Sequence, residues 1–537
     1  MGVPLRLPFV ACVAALAIMA SSAKATAPPR FLIIHFDAVS TAAFDGALQR
    51  GQLPNVDRIF ADGARLTALT LFPASTPMIY TRLHSGGCNA DPGPIGFGGL
   101  DPITDVPLND VQVFLDLLDR LPRLARTNFL HGIPGLDGLA ALAMQNLPEL
   151  LDRYGVIEFF WFATDAYGHL LGEAAHEGSM ARFDAALGAV WPRLEGGNLN
   201  VILYGDHGLT FTDETVDLHA VFEERLPGQL RHWCYPNVYL NDPGEAPSLA
   251  YALTRPGGID FAFYRIDERR VEGYVDGAFV AFEADGDGFR YLSEGDPLGY
   301  EALGYAGETL TADAWLALTI GAHYPATPVN LFRYLQHPDV GDLVGGLNPP
   351  RIPLTSRANQ GNHAGLIDTD LVVPVLVRGP DVAPLAERDP LWLHTLYRDL
   401  PELTFGIDPE RERHTFEAWL QLDDLAPGAR LRLSPAYRWR LGVEAVPERL
   451  QLWTEYDVFS SYLTRWWLGA GLAVDDGALR PLARAELQLD LAEAQFSLAG
   501  GFDGTGWTVN LGVGLRLTDD LRLSWQGPTG VGMAITW

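Results

Sequence analysis

Unbroken apolar runs recur through the first three quarters of the chain: RFLIIHF (30–36), VIEFFWFAT (156–164), NLNVILYG (198–205) and TDLVVPVLVRG (369–379). Between them lie stretches of helical character, such as PNVDRIFADGA (54–64) and EGSMARFDAALGAVWPRLE (177–195). Strands apolar at every position, alternating with helices, predict an α/β domain whose parallel sheet is covered by helices on both faces. We place this domain over residues 26–411. Residues 210–355 break the rhythm with short strand candidates (DFAFYRI, GAFVAFEA, GFRYLSEG) and read as an insertion or cap.

After about residue 412 the period changes to two. WTVNLGVGLRL (507–517) sets Trp507, Val509, Leu511, Val513, Leu515 and Leu517 on one face, against Thr508, Asn510, Gly512, Gly514 and Arg516 on the other. LARAELQLDLA, LQLWTEYDV and WWLGAGLAV repeat the pattern, and VGMAITW closes the chain on an alternating, aromatic-ended segment. Strands near ten residues suit a tilted bilayer crossing, and about eight fit the span. The expectation for 412–537 is therefore an all-β domain, an eight-stranded outer-membrane barrel, with a soluble sandwich as the alternative.

The N-terminus reads as an export signal over residues 1–25: MGVPLR, then LPFVACVAALAIMA, then Ala23-Lys24-Ala25 as a cleavage site. Export to the periplasm or outer membrane of a Gram-negative bacterium follows. Cys88 and Cys234 would remain after cleavage, and an oxidising compartment would allow them to pair. With 67 acidic against 38 basic residues the formal charge is −29, which argues against nucleic-acid binding and suits work with cations. Lys24 is the sole lysine, so lysine-based catalysis is excluded downstream of it.

Three of the apolar runs end at aspartates: Asp37, Asp165 and Asp206. In open α/β sheets, ligands bind beyond the carboxyl ends of the strands, so these carboxylates should converge. Asp165 and His169 are four apart, on one face if a helical turn follows. His207 adjoins Asp206, and His363 lies in NQGNHAGLIDTD just before another apolar run. Mixed Asp/His ligation suits zinc first and manganese second. In FPASTPMIYTRLHSG (72–86), Thr76 takes the expected N-cap of a helix with Pro77 in its first turn, where amides and dipole favour negative charge. His35 reads as an ordinary buried histidine.

Together these residues resemble the alkaline phosphatase superfamily, in its type I phosphodiesterase/nucleotide pyrophosphatase branch, over roughly residues 30–410. The resemblance implies two divalent ions. Asp37, Asp206, His207 and Thr76 would hold the first, and Asp165, His169 and His363 the second. It implies hydrolysis of a small-molecule phosphate ester through Thr76 as nucleophile and a phosphothreonine intermediate. One departure matters: the asparagine expected three residues after the nucleophile is Ile79. That leaves a phosphomonoesterase or phosphonate hydrolase as the alternative on the same site, and a non-catalytic envelope protein as the alternative of a different class.

Overall fold

The structure is a computed structural model. It describes residues 29–84, 137–354 except 197 and 213, 360–400 except 399, the pairs 99–100 and 107–108, residue 135, and the strands between 415 and 536. The expected export signal and Cys88 lie outside the described residues. No described helix is long and apolar enough to cross a membrane.

Six strands form the central sheet: β1 (Arg30–Phe36), β2 (Ala64–Leu69), β3 (Val156–Trp161), β4 (Leu199–Gly205), β5 (Val372–Arg378) and β6 (Leu391–Trp392), in the order β6-β2-β5-β4-β1-β3. β3, β1 and β4 run parallel, as do β2 and β6. β5 differs from the all-parallel expectation, because it pairs antiparallel with both β2 and β4. Both faces of the sheet are covered. Phe31 and Ile33 of β1 enter one apolar core, and Leu32, Ile34 and Phe36 enter the other, beside Phe183 and Val190 of the helix Glu173–Leu194. This is why the strands carry no polar alternation: neither face meets water.

Between β4 and β5 the chain builds an eight-stranded antiparallel sheet from strands running between Leu230 and Gly346. The C-terminal segment closes into a barrel of antiparallel neighbours from Thr415–Gln421 to Gly530–Thr536. It has ten strands, not the eight expected. Strands as short as Leu521–Gln526, and connections as brief as residues 447–448, fit more crossings into the span than a ten-residue rule allows. Its outer wall is apolar: Trp507, Val509, Leu511 and Leu479 are at least half exposed. The lumen instead buries Arg440, Glu455, Arg484 and Glu486.

Candidate active site

The strand ends build the site. Asp37 follows β1 directly, Asp206 follows β4, and parallel pairing of β1 with β4 matches Phe36 to Gly205, so the two aspartates emerge side by side. Both are fully buried. Asp165 sits in the first turn of helix α2 (Ala163–Leu171), four residues after the end of β3. His169, one turn on, brings Nε2 to 3.2 Å from Asp165 Oδ1. Gly168 allows this helix to press against the loop after Asp206, since a Cβ there would lie 2.2 Å from Leu209 Cδ2.

Thr76 begins the helix α1 (Thr76–His84). Ser75, whose carbonyl accepts from Ile79 N, therefore holds the cap position, which corrects the expectation for Thr76 by one residue. The Thr76 hydroxyl lies 3.1 Å from His207 Nε2 and 3.5 Å from Asp37 Oδ1. Asp165, His169 and His363 bring one donor atom each within 4.8 Å of one another, and so do Asp37, Asp165 and His207. All seven expected residues thus converge. Ile79 is buried in the apolar core, so the position expected to carry asparagine offers the site no polar group.

Sequence reasoning passed over two residues. His35 lies inside β1, two positions before Asp37, and its Nε2 is 3.2 Å from Asp206 Oδ2. It packs on Phe160 and Tyr204 and forms a third potential ligand group with Asp37 and Asp206. A polar residue inside a continuous apolar strand was the available signal. Asp370 is the other. Its carboxylate accepts from Thr210 Oγ1 at 2.9 Å and from Gly365 N at 2.8 Å, and its carbonyl accepts from Gly208 N. It thereby ties the loop bearing His207 to the loop bearing His363.

The donor set fits divalent cations. Asp37 Oδ2, Asp165 Oδ1 and Asp206 Oδ2 are buried and complete no hydrogen bond among the described residues. The histidines are turned inward by the backbone: Nδ1 of His169, His207 and His363 meets the carbonyls of Gly361, Gly208 and Ala74. A carbonyl can only accept, so each Nδ1 carries the proton and each Nε2 lone pair faces the carboxylates, the arrangement of a metal-ligating imidazole. Burial, then the charges of Asp206 and Asp165, pushes the Asp37 carboxyl well above the usual carboxylate range. Against its own burial, Asp165 is held down to about 2 by His169, with His363 and His207 behind it. Burial and the neighbouring His207 and His169 drive His363 well below the usual imidazole range. Crowded buried carboxylates of this kind call for positive charge between them.

Backbone strain marks the same place. Ala38 (φ 55°) and Ala364 (φ 77°) are left-handed, and each immediately follows a site residue, Asp37 and His363. The Ala38 turn aims its N–H at Asp206 Oδ1 and its carbonyl at His176 Nε2. Such strain persists where surrounding structure requires it.

Residues 136–278 match the family model of type I phosphodiesterase / nucleotide pyrophosphatase. No curated protein matches the chain. Among solved structures, the chain is similar to phosphonoacetate hydrolase from Sinorhizobium meliloti 1021 in complex with phosphonoacetate, at 14% identity, covering 69% of this chain and 94% of that one with a TM-score of 0.37. It is also similar to murine ectonucleotide pyrophosphatase / phosphodiesterase 5, at 13% identity, 71% and 97% coverage and a TM-score of 0.36. The human form gives 13%, 70%, 96% and 0.37. Asp165, His169, Asp206 and His207 lie inside the matched family segment. Residues 136–278 thus match the type I phosphodiesterase / nucleotide pyrophosphatase family, in a chain whose C-terminal segment closes into a ten-stranded barrel.

Proposed function

We propose that the chain is an exported phosphohydrolase that uses two divalent ions, zinc first and manganese second, with Thr76 as its nucleophile. The observation that carries this reading is the Thr76 hydroxyl at a helix N-terminus, 3.1 Å from His207 Nε2 and 3.5 Å from the buried carboxylate of Asp37. Asp37, Asp206, His207 and Thr76 would hold one ion, and Asp165, His169 and His363 the other. When bound, the ions would neutralise the carboxylates, ease deprotonation of the hydroxyl and draw charge from the phosphoryl oxygens. Thr76 Oγ1 would attack phosphorus as an alkoxide while the ester bond breaks and the leaving oxygen takes its electron pair. Water would then cleave the phosphothreonine in line. The helix amides beyond Thr76 favour the negative charge on this group throughout.

The substrate class is a small phosphate ester. Phosphodiesters stand first, and Ile79 keeps phosphomonoesters and phosphonates as the second reading. The barrel, apolar outside and charged inside, supports anchoring in an outer membrane, since a soluble barrel would reverse those faces. The test is turnover of aryl phosphate mono- and diesters and phosphonates with added zinc or manganese. No hydrolysis of any of them by metal-loaded protein would sink the reading in favour of a non-catalytic envelope protein.

A further inference from the structure

The barrel lumen is divided. Its middle is filled by ion pairs: Arg440 bonds Glu455 at 2.6 Å and Glu486 at 2.9 Å, and Arg484 bonds the same two glutamates at 2.9 and 3.2 Å. Arg440 lies 3.9 Å over the Trp467 ring and Arg484 4.6 Å over Trp453, so the lattice is packed by indoles. Beside it lies a cavity of about 70 Å³. A single water occupies roughly 10–15 Å³ on this measure, so several waters, or one small polyatomic ion, would fit.

The cavity sits at the end where the chain enters the barrel. Thr415, the first barrel residue, lines it and pairs with Arg432, and the last lining residue, Ala534, lies beside Glu417. Its wall is strongly basic: Arg430, Arg432, Arg440, Arg465 and Arg522 line it with one carboxylate, Glu417, which already accepts from Arg430. Three buried groups facing it complete no hydrogen bond among the described residues: Arg432 Nε, Trp467 Nε1 and Ser524 Oγ. All three can donate. Among the described residues, no buried side-chain carbonyl or carboxylate oxygen of the lining is left in that state. Buried polar groups in folded proteins are nearly always satisfied. A cluster of unsatisfied donors beside guanidinium groups matches a ligand that only accepts, carries negative charge and presents oxygens in several directions.

We propose that this cavity binds a phosphate-type oxyanion, held by Arg432, Arg522, Trp467 and Ser524. The inference rests on the closed barrel and its lining, and on neither the membrane location nor the catalytic assignment. The oxyanion has two possible sources with the same chemistry, free phosphate and the esterified phosphate of a lipid headgroup.

The experiment uses the full chain in detergent, treated with EDTA so that metals are removed from the N-terminal site. Binding of radiolabelled inorganic phosphate is read by equilibrium dialysis. One phosphate per chain is expected. Affinity should fall at least tenfold in Ser524→Asp, which sets a carboxylate among the arginines without dismantling them, and in Arg432→Gln with Arg522→Gln. Barrel folding in each variant is checked by heat-dependent gel migration, and metal-loaded hydrolysis of an aryl phosphate should be unchanged. Displacement of the label by a soluble short-chain phosphatidic acid assigns the headgroup source, and its failure to displace assigns free phosphate. No phosphate on the EDTA-treated chain, or equal affinity in folded Ser524→Asp, overturns the proposal and leaves a water-filled cavity.

Discussion

The hydroxyl of Thr76 stands 3.1 Å from Nε2 of His207, close enough for both to share one ion. Because Thr76 is the first helical residue and Ser75 holds the cap, replacing Thr76 removes no capping bond. Thr76→Ala should therefore cost less than the ~1 kcal/mol of a lost N-cap. Turnover should fall at least ~1000-fold, the scale on which nucleophile loss acts. Thr76→Ser should keep part of the activity. Near-normal rates in Thr76→Ala would mean that water attacks directly.

His363 shares its group with Asp165 and His169, whereas Asp37 and Asp206 share theirs with His35. His363→Ala should lower the bound metal from two ions per chain towards one, read by elemental analysis of dialysed protein. Loss of both ions together, or of neither, would contradict the assignment of His363 to one site.

Asp370 touches no expected ligand side chain, yet it bonds the backbone or hydroxyl of the loops on either side of the site. Asp370→Asn leaves an amide N–H facing either Gly365 N–H or the Thr210 hydroxyl, and should cost about 1–3 kcal/mol in thermal or denaturant unfolding. Metal affinity, measured by chelator competition, should weaken by roughly 10–100-fold, the usual effect of removing a group that orients ligands. Unchanged affinity in a destabilised variant would reduce Asp370 to a purely structural role.

Val509 is 71% exposed on the barrel wall. In water Val509→Arg would be nearly neutral. In a bilayer it should destabilise the barrel by up to about 2–4 kcal/mol, depending on depth. Urea unfolding in lipid vesicles separates these outcomes, and release of the wild-type chain into the soluble fraction after a high-salt wash would also defeat the membrane reading.

What could be read beforehand followed from burial. β1, β3 and β4 are apolar at nearly every position because both their faces are covered, so a charged residue at the end of each run stood out. His35 left only the faint signal of a polar residue in an apolar run, because its partners Tyr204, in β4, and Asp206, just beyond it, are brought beside it only by the fold. Asp370 was hidden for the same reason: its partners lie on two loops brought together only by the fold. The antiparallel course of β5 leaves no mark in composition, since a buried strand looks alike in either direction. In the barrel, alternation revealed which way residues face. The number of strands was not legible, because it depends on turns too brief to leave a signal.

The short contact between His363 Nδ1 and the carbonyl of Ala74 joins residues 289 positions apart. Its consequence is one of timing. In the proposed assignment, a growing chain would carry Thr76, the three aspartates, His169 and His207 early, but His363 would emerge only after the whole inserted sheet has been made. Until then the site would lack the histidine that closes it, and a truncated or half-made chain would be inert. The order of residues along the polypeptide would thus delay hydrolytic competence until the domain is almost complete.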